Sequence, residues 1–523
     1  MLVGGICMSK SLVGNFFIKA QGTYKEYKGY KAFYAGEYIK AKNAFQELYD
    51  LYKCELGEKR PDTLDALEAL AISYECLGNY NKALELSEEV YVKRKEILGE
   101  KHPYTLSSLN NLANSYSDLG YHNKACELQN TVYNARKEIL GENHPDTLSA
   151  LNNLTISYSD LGDYNKACEL QNTVYNARKE ILGENHPDTL AALNNLAISY
   201  SYLGDYNKAL ETGIRVYNAN KEILGANHPD TLSTLSDLAC SYFYLGDYNK
   251  ALETGIRVYN AKKEILGEKH PSTLSSLNNL ANFYSDLGDY NKAIEAEIKV
   301  YNASKEILGE NHPHTLSALN NLTNSYSELG DYNKAFELQN TVYNTLKETL
   351  GENHPVTLSA LHNLASSYSD LGDYKKALEK DNIVYNVKKE ILGANHPDTL
   401  SALNDLAISY SYFGDYNKAC DLQNTVYNKS KEILGDKHPN TLASLTNLAS
   451  SYSDLGDYNK AFELKNTAYN ALKESLGASH PDTLLALSNL LVSQILQNKA
   501  DNESIKNHMT AYFKNINNLK TTA

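Results

Sequence analysis

Eleven prolines, and no others, mark this 523-residue chain at intervals of 42 residues: Pro61, Pro103, Pro145, Pro187, Pro229, Pro271, Pro313, Pro355, Pro397, Pro439 and Pro481. A period between 20 and 50 residues signals a stack of identical supersecondary units, each too small to bury its own apolar face. Length alone would suggest roughly three or four separate domains, but that prior does not apply to a repetitive body.

The punctuation inside each period is fixed. One glycine (Gly99, Gly141, Gly183) stands four residues before each proline, and another (Gly78, Gly120, Gly162) seventeen residues after it. Between Pro103 and Gly120 the apolar residues Leu106, Leu109, Leu112, Ala113, Tyr116 and Leu119 recur at three- and four-residue spacings, one stripe of a helix, here called A. Proline suits the first turn of a helix, and the Asp146-Thr147 or Ser272-Thr273 pair that follows offers capping oxygens. A second helix, B, is predicted from Asp163 to Leu182, with an inward stripe of Ala167, Leu170, Val174, Tyr175, the stem of Arg178, Ile181 and Leu182. Three in-phase series (Tyr116/Tyr158/Tyr200, Tyr164/Tyr206/Tyr248 and Tyr133/Tyr175/Tyr217) account for most of the 42 tyrosines, which are therefore read as packing residues.

The run LNNLAISYSYLGDYNKAL (Leu193–Leu210) resembles a tetratricopeptide repeat, and the linker KEILGENHPDTL (Lys179–Leu190) with the 42-residue period resembles the long-helix subtype of kinesin light chains. The resemblance implies an all-α, right-handed superhelical solenoid of about eleven helix-turn-helix hairpins over residues 21–497, longer than one superhelical turn. Residues 1–20 are expected to form a poorly ordered leader, and 498–523 a C-terminal capping helix and tail with Ile505, Met509, Tyr512, Ile516 and Leu519 on one face. About twenty residues precede the first hairpin and hold no heptads, so the likeness to kinesin light chain is expected to stop at the repeats.

Composition removes several functions. The net charge of −14 argues against nucleic acid and anionic membrane, both of which call for a basic face. Ten His-Pro pairs cannot share a metal, because equivalent positions in a stack lie ~16–20 Å apart. GGICMSKS (Gly4–Ser11) approaches a phosphate-binding loop but has Ser9 where glycine is required and no strand before it. The seven cysteines suggest no disulfide frame, so a reducing, cytoplasmic setting is expected. No unique nucleophile, base and oxyanion donor assemble, so we expect no enzyme, no metal and no cofactor.

The resemblance implies that helix A lines the concave groove. Beside its apolar stripe runs a ladder of Asn111, Asn153, Asn195, Asp237, Asn279, Asn321 and Asn363, able to bond an extended peptide or to tie neighbouring helices together. In repeats 5 and 6 the aspartates of this stripe (Asp118, Asp160) give way to Tyr202 and Tyr244, beside Ile198, Cys240 and Phe243 and flanked by Asp286 and Glu328. Rigid aromatics make good anchors, which marks Ile198, Tyr202, Phe243 and Tyr244 as a candidate hot spot with acidic flanks that prefer a basic peptide. The stripe lacks the Lys and Arg that a C-terminal carboxylate clamp would need. The expectation is a monomeric, non-catalytic scaffold that grips a protein or peptide, basic or with an apolar anchor, along the groove. The rival readings are a sensor arm acting in trans with a nucleotide-switch protein, and a kinesin-light-chain-like cargo adaptor.

Overall fold

The computed structural model describes residues 21–34, 37–478 and 480–496. The leader and capping helix expected at the two ends lie outside these residues. Repeat 1 comprises a helix over 21–34 and Tyr38–Glu55, and each later repeat opens at its proline. The A helices run Pro61–Cys76, Pro103–Asp118, Pro145–Asp160, Pro187–Tyr202 and onward to Pro481–Leu496, and the B helices from Tyr80–Leu98 to Tyr458–Leu476. All described regular elements are helical, and the chain is a solenoid of hairpins. Among the described residues no helix is long and apolar enough to cross a membrane.

The caps explain the boundaries. Each A helix from repeat 3 onward is capped by the histidine before its proline, not by the Asp-Thr or Ser-Thr pair after it: His144 Nδ1 accepts from the Asp146 backbone N–H at 3.2 Å. Thr147 Oγ1 is buried with no hydrogen-bond partner, so the expected capping oxygen faces the core. The B helices of repeats 2 and 4–11 are capped by the Asn or Asp after the loop glycine, as where Asp163 accepts from the Lys166 N–H at 3.0 Å, whereas Glu37 and Tyr121 at that place make no side-chain cap. Gly162 closes helix A at φ +75°, a conformation costly for other residues.

The core follows the predicted A stripe: Leu148, Leu151 and Leu154 are buried, facing Ala167 and Val174 of their own B helix. The B stripe differs at its end. Ile181 and Leu182 are exposed, at 49% and 39%, whereas the polar Gln171 is buried at 1%. The last turn of helix B overhangs its neighbour, while Gln171 points back between two A helices.

Successive A helices touch each other, as Pro187–Tyr202 does Pro229–Tyr244, more closely than successive B helices do, which places A on the inside of the curve. The curve closes after six repeats. His396 Nε2 donates to the Asp160 carbonyl at 2.9 Å, and the same bond recurs from His312 to Cys76, His354 to Asp118, His438 to Tyr202 and His480 to Tyr244. Beside each bond a proline ring lies against a loop glycine, Pro397 on Gly162 for example, where no Cβ would fit. The second coil is therefore seamed to the first at five points.

Candidate ligand-binding groove

The ladder residues sit on the inner A helices, and most have their amides engaged. Asn153 donates to Asn110 Oδ1 at 2.7 Å, Asn195 to Asn152 at 3.0 Å, and Asn321 and Asn363 to Asn278 and Asn320 at 2.8 Å. Asn111 donates to Glu68 at 2.9 Å, and Asp237 accepts from Asn194 at 2.9 Å. Each bond ties one A helix to its neighbour. At Asn279 the position that would receive the bond is Ser236, and no such tie forms.

The aromatic cluster is brought together, in two adjoining cavities that share Cys240 and Tyr244. One, of about 440 Å³, is lined by Ile198, Tyr202, Tyr206 and Asp237 and is closed by His438 and Asn440 of the next coil. In it Tyr202 stacks on Tyr164, with ring centroids 5.4 Å apart, and Tyr244 on Tyr206 at 5.1 Å. The other, of about 330 Å³, is lined by Phe243, Phe283, Asn279, Asn282, Asn321, Asn324, Asp286 and Glu297. Phe243 packs on Phe283 at 5.3 Å and forms an apolar wall. Gly255 stands where most B helices carry a longer side chain, and Phe283 occupies the space this leaves.

Glu297 is the residue the sequence reading missed. It occupies the B-helix slot filled by Gln129, Gln171, Gln339 and Gln423 in other repeats. In two of these the amide is paired on both sides, as where Gln171 donates to the Ala192 carbonyl at 3.1 Å and accepts from Thr155 at 3.0 Å, whereas Gln129 and Gln423 leave a neutral Oε1 without a partner. Glu297, only 3% exposed, accepts from Ser325 at 3.0 Å through Oε1, while Oε2 has no partner. Burial raises its pKa to about 7. Repeat 9 shows the contrast. There the slot holds Asp381, and His362, standing where repeats 8 and 10 have Asn320 and Asn404, bonds it at 3.0 Å. Burial would lower the pKa of His362, but the bond to Asp381 and the charge of Asp405 outweigh burial and raise it. Asp381 has a counter-group in His362, whereas the residue of repeat 7 equivalent to His362 is the neutral Asn278.

The sequence profile of the tetratricopeptide repeat matches in nine spans, from 29–96 to 413–474. The chain belongs to the tetratricopeptide repeat family. Comparison with curated proteins finds no match. Among solved structures, a putative kinesin light chain of nearly identical TPR-like repeats from Podosopora anserina is 29% identical, covers 39% of this chain and 97% of its own, and superposes with a TM-score of 0.35. BtubC (BKLC) from P. vanneervenii is 18% identical over 48% of this chain and 92% of its own, with a TM-score of 0.35. Rap protein complexed with competence and sporulation factor is 14% identical over 71% and 98%, at 0.48. The matching profile is that of a repeat, and no catalytic family is indicated.

The tetratricopeptide groove also carries a column of carboxyls at the ends of its A helices. Burial and the neighbouring Asp118 raise Glu75 to about 7, and burial and Asp160 raise Asp118 to about 6. Asp286 is likewise raised by burial and by Glu328. Carboxyls that suppress each other's ionisation are stabilised when a cation enters among them.

Proposed function

We propose that this tetratricopeptide protein is a non-catalytic scaffold that holds a protein partner through an extended, cationic segment in the groove, with a Lys or Arg side chain seated in the cavity of Phe243, Phe283 and Glu297. The observation that carries the reading is the unpartnered Oε2 of Glu297, buried in the wall of a cavity that combines an aromatic face with amide groups. An alkyl stem packs on the phenyl rings while its charged head reaches the carboxylate. Tyr202, Tyr244 and Ile198 in the adjoining cavity anchor a neighbouring apolar residue. Asn279 and the uncommitted oxygens of the other ladder amides contact the peptide backbone. A cytoplasmic setting belongs to this reading, supported by the six described cysteines, all free.

The test is selection of a displayed random-peptide library on the immobilised protein. The expected outcome is enrichment of Lys or Arg next to an apolar residue, with affinity falling about tenfold or more on Glu297→Gln. Enrichment of acidic sequences, or of basic ones indifferent to Glu297→Gln, would overturn the reading.

A further inference from the structure

The seam between coils consumes half of the material that could make it. In repeats 2–6 the loop after helix A receives a His-Pro turn from the coil above. In repeats 7–11 the corresponding loop glycines, Gly288, Gly330, Gly372, Gly414 and Gly456, have no described residue against them. Conversely Pro103, Pro145, Pro187 and Pro229 are exposed, and among the described residues no loop glycine lies against them. Among the described residues, one rim therefore presents loops without a turn seated on them and the opposite rim turns without a loop.

These free halves match seated ones residue for residue. The free turn KEILGANHPDTL at 221–232 is identical to 389–400, whose His396 and Pro397 are docked. The loop YSDLGDYNK at 284–292, whose Gly288 meets no described residue, is identical to 158–166, the loop that receives them. Exposure follows occupancy. Ile139 and Ile181 are exposed on the free-turn rim, whereas their counterparts Ile391 and Ile433 in the second coil are half-buried. Ile307, likewise half-buried, shares a cleft with Ile39 and Lys40 of repeat 1. On the loop side Leu161 and Tyr164 are half-buried, and Leu371, Leu455 and Tyr374 are exposed.

We propose that the loop rim of one copy docks on the turn rim of a second copy, repeating between molecules the contact that joins the coils within one. The contact is heterologous, so each added copy leaves a fresh rim at either end and the product is an open, head-to-tail superhelix. The two rims meet at a few small points, so a monomer in dilute solution assembles as concentration rises.

Sedimentation velocity on the full chain, from micromolar to millimolar concentration, tests this. The average mass of wild type is expected to climb without a fixed end point. Leu371→Asp/Leu455→Asp spoils the loop rim and Ile139→Asp/Ile181→Asp the turn rim, all at exposed positions that leave the core intact. Each double variant alone should stay monomeric. An equimolar mixture should form dimers and nothing larger, because one sound rim remains on each partner. A wild type that stays monomeric throughout overturns the proposal. So does association that survives both sets of substitutions, as it would if terminal residues 1–20 or 497–523 carried it, and so does a mixture that fails to dimerise.

Discussion

The His396 imidazole bonds two segments 236 residues apart: Nδ1 accepts from the Asp398 N–H at 3.1 Å, and Nε2 donates to the Asp160 carbonyl at 2.9 Å. The first bond fixes the tautomer that the second requires. His228, in an identical twelve-residue setting, makes only the first. His396→Ala and His228→Ala should therefore share a capping loss of about 1 kcal/mol, and His396→Ala should cost about 1–2 kcal/mol more for the orphaned carbonyl. Hydrogen exchange at the amides of each helix start reads the difference directly; equal losses would remove the seam bond from the energetics.

The seam should open in acid. Burial lowers the pKa of His312 to about 4 from an ordinary 6.5, although its bond to the Cys76 carbonyl pulls the other way. Burial also lowers His354 and His438. A neutral histidine is held in the closed coil and protonates more readily in the open one. The stability it lends is complete above pH 6.5 and falls as the pH drops toward 4, by about 3 kcal/mol for His312 at the limit. Small-angle scattering should show the particle lengthening reversibly over that window while helical circular dichroism persists. Compaction that is unchanged down to pH 4 would contradict it.

Glu297→Gln installs the amide that four other repeats carry in this slot. With the native carboxyl raised to about 7, wild type loses stability as pH climbs from 4.5 through 7 and no more beyond. The variant should therefore be more stable at pH 8, by up to about 3 kcal/mol, and indistinguishable at pH 4. Urea titrations at the two pH values measure this.

His362 and Asp381 form a swapped pair. His362→Asn alone strands a buried carboxylate and should destabilise by roughly 3 kcal/mol. Adding Asp381→Gln rebuilds the Asn320–Gln339 arrangement of the preceding repeat, which bonds at 3.0 Å, and should return stability to wild type or above. A double variant no better than the single one would show that the two residues are not coupled.

Periodicity made the hairpins, the loop glycines and the leucine stripe of helix A legible in advance, because each depends on residues within one repeat. What depends on the rotation between repeats was not legible. The spacing of His312 and Cys76 carries no local signal, since the number of repeats per coil is set by small packing angles summed over six interfaces. Ile181 and Leu182 were assigned inward from their apolar character, yet the end of helix B overhangs its neighbour. Glu297 left a trace that could have been followed: one B-helix slot reads Gln, Gln, Gly, Gly, Glu, Gln, Asp, Gln, Lys from repeat 3 to repeat 11. Such variation against an otherwise copied background marks a place where side chains meet something other than water. The aromatic substitutions at Tyr202 and Tyr244 were visible because they change residue class, and the two tyrosines do line adjoining cavities.

Repeat arrays are ordinarily one-dimensional, each unit feeling only its neighbours, so they stretch like soft springs and fray from either end. The five bonds from the second coil to the first change the connectivity of that object. Repeat 4 now answers to repeat 10 as well as to repeats 3 and 5. A pulled molecule should resist stiffly until the coils part and only then yield compliantly, and fraying of the last repeats should be checked by a grip on the first coil. The chain behaves less as a spring than as a rope wound on itself, with its tension carried between turns.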